Sequence, residues 1–188
     1  MKGDVQEAVT ADGHIWIDLP FMVLDVQEAW NSVMLPSESI AQRCNLAAAV
    51  ARLAGLGVPD EAFSGCGLAV MSLALETLSD QDGSIQTGLR LLPVVQIWLH
   101  YAGDKLLRLS IANHPTDESA WCAEVGLSYR GLAHAAGIET VGFSQERFLF
   151  WKNRLSELKE SDDEAVKEVA GACSKIIDGI WNSFFGLH

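Results

Sequence analysis

The chain has 188 residues, of which 49% are hydrophobic and 20% charged, a globular balance that excludes an intrinsically disordered chain. Its 25 acids against 13 bases give a net charge of −12, which argues against nucleic-acid backbones and anionic membrane surfaces as partners. That length suits one domain with a sizeable core, and six tryptophans supply large side chains for a core, a pocket or an interface.

The N-terminus, MKGDVQEAVTADGH, carries acids and no apolar core, so it does not read as a secretory signal. Residues 1–22 read as an extended leader packed on the body. Within it His14–Leu19 alternates apolar and polar side chains until Pro20 stops it. A short helix over Val23–Met34 sets Val26, Trp30 and Val33 on one side. Ser37 can cap a longer, Ala-rich helix to about Ala54, ended by Gly55, Gly57 and Pro59. Asp60 can cap a helix to about Leu78 whose Phe63, Leu68, Met71, Leu75 and Leu78 face inward. Ser79–Gly88 is a polar loop.

Leu89–Ala102, LRLLPVVQIWLHYA, is apolar nearly all round and marks a central, buried helix. Pro93 either begins it or kinks it. Gly103 is expected to break it, with Asp104 starting another helix to about Ile111. A helix from Asp117 towards Tyr129 follows the Asn113-His114-Pro115 turn, and Leu132–Ala136 is a short helix or a loop. Ser144 caps the next helix, where Phe148, Trp151, Leu155 and Leu158 form one apolar stripe with Arg147 and Arg154 on its flank. Ser161-x-x-Glu164 reads as a capping box for the last helix, with Val166, Val169, Cys173, Ile176, Ile180 and Phe184 at helical spacing. The fold class is all-α: a single-domain helical bundle of about six to eight helices with a short extended N-terminal segment.

No apolar run reaches the ~18 residues of a membrane span. Cys44, Cys66, Cys122 and Cys173 are widely separated and read as reduced thiols of a cytoplasmic protein, with no metal site and no cofactor expected. No phosphate loop, zinc-protease helix or nucleophile elbow is present.

Two runs look familiar: L-P-V-V-Q-I-W-L-H-Y-A-G, from Leu92 to Gly103, and the R-[WF]-x-F-W-K-x-R core from Arg147 to Arg154. Over about residues 89–175 the chain resembles a family of small, uncharacterised fungal all-helical proteins. That resemblance implies a setting in fungal specialised metabolism, because some members sit beside natural-product pathway genes. It implies no mechanism.

From the residues, two functions compete. In the first, a Trp-lined hollow folds a small apolar molecule bearing a carbonyl or carboxylate. The chain is then a cofactor-independent cyclase or isomerase, such as a pericyclase of the Diels–Alder type, acting largely by orientation. His100, Tyr101 and Arg147 would polarise the reacting group, and Gln96, Trp98, Trp151 and Arg154 would bind the substrate. The bland account of these residues is a satisfied core histidine, core rings, and guanidiniums in internal salt bridges. In the second, the same aromatic load serves a non-catalytic helical module that binds a small apolar ligand or a partner protein, with Ile180–Leu187 as a contact or a homodimer seam.

Overall fold

The computed structural model describes residues 9–10, 13–14, 21–34, 38–58, 63–77, 89–115 and 131–186. Among them are seven helices: α1 (Met22–Val33), α2 (Ile40–Gly55), α3 (Ser64–Leu75), α4 (Leu92–Ile111), α5 (Gly131–Ala135), α6 (Gln145–Leu158) and α7 (Glu164–Phe185). The architecture is all-α. A two-residue antiparallel ladder, β1 (Val9–Thr10) with β2 (Gly13–His14), pairs Val9 with His14 and Thr10 with Gly13. Most of the expected leader, the Asp60 cap, the Ser79–Gly88 loop and the Asp117–Tyr129 helix lie outside the described residues, as does Cys122.

Helix α4 is the axis, and α2, α3, α6 and α7 all pack on it. Pro93 lies in its first turn and begins it without a kink, since a missing N–H there costs no helical bond. The expected break at Gly103 does not occur: α4 runs straight through to Ile111. A Cβ on Gly103 would collide with Cδ1 of Ile180, so the glycine admits α7 against α4 and does not end a helix. Gly55 does the same for α2, where a Cβ would meet the backbone carbonyl of Tyr101.

Three of the six tryptophans anchor the core. Trp30 brings α1 in, its ring edge-on to Trp98 at 6.0 Å and 79°. The Trp98 indole lies over Gly67 of α3, so close that a Cβ there would stand 2.8 Å from Cε3. Trp151, on α6, is fully buried.

Three helix starts differ from expectation or sharpen it. Helix α2 is capped by Ser39, whose side chain accepts from Gln42 N at 3.3 Å while Gln42 Oε1 accepts from Ser39 N at 3.1 Å, a complete capping box. Helix α7 is capped by Asp163 and not by Ser161, because one Asp163 oxygen accepts from both Ala165 N and Val166 N, at 2.9 and 3.3 Å. Ser144 caps α6 as expected, accepting from Arg147 N at 3.2 Å. Cys173 is buried against α4, and desolvation pushes its thiol up to about 12.

Candidate functional site

Helix α3 is apolar on every side and ends on an acid, Glu76, which is fully buried. The Ser144 cap sets the phase of α6, so that Arg147 in its first turn and Trp151 one turn later both face Glu76. Arg147 donates through Nε to Glu76 Oε1 and through Nη2 to Oε2, each at 2.7 Å, a bidentate pair with both side chains wholly buried. Trp151 Nε1 donates to the same Oε1 at 2.6 Å. Nη2 also reaches Ser72 Oγ at 3.1 Å, while Nη1 is taken by the carbonyls of Val141 at 2.6 Å, Gly142 at 3.0 Å and Thr140 at 3.3 Å. All three guanidinium nitrogens are therefore occupied. The cluster joins α3, α6 and the 140–142 turn and leaves Arg147 no N–H to offer a ligand.

Glu76 is the residue that sequence reasoning missed. Its signal was there: one acid closing an otherwise apolar stretch, four residues after Ser72, has to find a cation once the helix is buried.

The other candidate residues fall into separate places. His100 and Tyr101 are adjacent and exposed on α4, their rings edge-on at 4.6 Å. With Gly55, Lys105, Ile176 and Ile180 they line an open cavity of about 210 Å³ where α2, α4 and α7 meet. Arg52 of α2 lies over the Tyr101 ring, 4.1 Å from its centre, and donates through Nη2 to the phenol oxygen at 2.6 Å. The phenol keeps its own proton to donate. Trp98 is sealed in the core, and its Nε1 has no hydrogen-bond partner among the described residues. Gln96 is half-buried on α4, and Arg154 pairs with Glu157 at 2.9 Å one turn along α6. None of Gln96, Trp98, Arg147, Trp151 or Arg154 lines the His100–Tyr101 cavity. The structure thus joins Arg147 to Trp151 and His100 to Tyr101, and it keeps the two pairs apart.

Among the described residues no group of three His, Cys, Asp or Glu side chains is placed to hold a metal ion. No helix there is long and apolar enough to cross a membrane.

The all-helical body is the fold that the resemblance implies. The chain belongs to the family of proteins of unknown function designated DUF3632, whose profile matches residues 2–155. That span takes in residues 2–88, ahead of the two runs that carry the resemblance, and it ends at residue 155, short of residue 175. A relative is the oxopyrrolidines biosynthesis cluster protein G of Penicillium oxalicum, 31% identical over 194 residues and covering 88% of this chain. The chain spans about half the length of that relative (50%). No solved structure matches it.

Proposed function

We propose that the chain serves fungal specialised metabolism as a non-catalytic helical module that binds a partner protein through the aromatic end of α7. The setting rests on the family and on the relative's name, a biosynthesis cluster protein. One observation carries the module reading: Trp98, Trp151 and Arg147 lie in the core, while a run of rings comes to the surface. Trp181 stacks on Phe148 at 6.1 Å and 22°, Phe185 lies 4.5 Å from Trp181, and Phe184 lies 5.2 Å from Phe185. Phe184 and Phe185 are 41% and 43% exposed, on a body that carries a net charge of −12. Like charge opposes a second copy of the chain, so the fitting occupant is a different protein with an apolar socket and a basic rim.

Co-purification with each enzyme encoded beside the gene tests this. A stoichiometric complex is expected, weakened about 100-fold or more by replacing both Phe184 and Phe185 with Ser, since central aromatic anchors are each worth ~2 kcal/mol or more. Complexes that ignore the double substitution sink the idea.

The His100–Tyr101 cavity favours a second reading, the cofactor-independent cyclase or isomerase. Here the imidazole and the Arg52-held phenol would donate to the carbonyl or carboxylate of a small apolar substrate, and pre-organisation would supply the rate. Purified protein incubated with candidate linear intermediates decides it. His100→Ala should slow product formation at unchanged folding, and equal product with and without protein rejects catalysis.

A further inference from the structure

Helices α4 and α7 run side by side, with Cys173 Sγ 3.8 Å from the carbonyl of Leu92 and Ile180 against Gly103. Leu92 is the first residue of α4, whereas Cys173 is well inside α7, which begins at Glu164. Helix α7 therefore projects about two and a half turns past the start of α4. The face it turns that way carries Val169 and Val166, one and two turns before Cys173. Opposite them, among the described residues, stand Leu89, Arg90 and the first turn of α4. The result is a cleft of about 320 Å³ with Leu89, Pro93, Val166 and Val169 as its apolar walls. That volume lies within the range of small-molecule sites.

Two polar groups border the cleft, and each has capacity left. Arg90 makes no hydrogen bond or ion pair among the described residues. Asp163 uses Oδ1 to cap α7, and its Oδ2 accepts nothing among them. The cleft thus offers a cationic donor and an anionic acceptor beside apolar walls. A carboxylate ligand would suit Arg90 and be repelled by Asp163, and an ammonium would meet the reverse. A neutral head with both an acceptor and a donor satisfies the two together.

We propose that this cleft binds a small, mainly apolar molecule with a neutral amide or hydroxycarbonyl head, Arg90 donating to its carbonyl and Asp163 accepting from its N–H or O–H. The site lies at the opposite end of α7 from Phe184 and Phe185, roughly 30 Å away at 1.5 Å per residue. It stands or falls independently of the partner-protein reading, whose test uses the other end.

The full chain, labelled with ¹⁵N, is titrated with octanamide, octanoate and octylammonium, three heads on one tail. Octanamide should give saturable amide shifts confined to residues 89–94 and 163–170. The two charged probes should bind roughly tenfold more weakly, the scale of one unfavourable contact of ~1.4 kcal/mol. Asp163→Asn keeps a good cap and removes the repulsion, so octanoate should draw level with or overtake octanamide. Ala165→Trp, placed at an exposed wall of the cleft, should abolish octanamide binding. No saturable shift with octanamide, binding that survives Ala165→Trp, or an order of heads unchanged by Asp163→Asn would each overturn the proposal. The Asn variant decides it even if the Trp variant fails to fold.

Discussion

Two guanidinium–aromatic pairs use similar chemistry in opposite surroundings. Arg147 and Trp151 converge on Glu76 with no solvent exposure, and every guanidinium nitrogen is held by protein. Arg52 and Tyr101 meet at the surface, with the cation over the ring and one hydrogen bond between them. The first pair is a joint: it locks α3, α6 and the turn before α6 into one arrangement. The second is a face, bordered by a cavity, with polar groups still able to meet something else. Residue type does not distinguish the two. Burial and the presence of an acid do, and that difference is the reason for placing function on exposed surfaces and not on the tryptophans of the core.

The largest expected effect breaks the joint. Glu76→Ala leaves the Arg147 cation buried and facing only carbonyls and a hydroxyl, and urea denaturation should show a loss of about 3–5 kcal/mol. Joint replacement by Glu76→Leu with Arg147→Met should recover part of that loss, because it removes the uncompensated charge but leaves the Trp151 N–H and the 140–142 carbonyls without these partners. A loss below ~1 kcal/mol for Glu76→Ala would mean that water reaches the cluster and that the contrast between joint and face is false.

Next in size is Gly55→Ala. Its Cβ would strike the Tyr101 carbonyl, which is backbone and cannot step aside, so α2 and α4 must move apart. A loss of about 1–3 kcal/mol is expected by thermal or chemical unfolding. Gly103→Ala sharpens the point, since there the obstacle is the end of the Ile180 side chain. A rotamer change can relieve that clash, so Gly103→Ala should cost less than Gly55→Ala. The reverse order would place the tight contact between α4 and α7.

What the sequence made legible follows from how local each signal is. The stripe of α6 and its Ser144 cap could be read directly, because a helix face and its first turn are set within a few residues. So could the burial of α4. Gly103 misled because glycine inside a helical pattern has two meanings, a stop or a close approach, and only Ile180, far along the chain, selects the second. Glu76 was out of reach as a named partner for the same reason: 71 residues separate it from Arg147. Arg147 itself carried both meanings, ligand donor or internal ion pair, until its acid was found. The caps at Ser39 and Asp163 shifted by two residues from their expected places because neighbouring Ser and Asp side chains compete for the same free N–H groups.

The smallest effect tests the face. Tyr101→Phe removes the 2.6 Å bond from Arg52 yet keeps the ring beneath the cation, at a position open to water. An exposed contact of this kind contributes about 0–1 kcal/mol, so unfolding should shift by no more than that. The substitution therefore separates folding from function: with stability constant, any change in ligand affinity or product formation at the His100–Tyr101 cavity reports the phenol hydroxyl together with the Arg52 donor it holds. A stability loss above ~2 kcal/mol would show that this surface is committed to the fold as firmly as the Glu76 cluster, and the case for a site there would lose its physical basis.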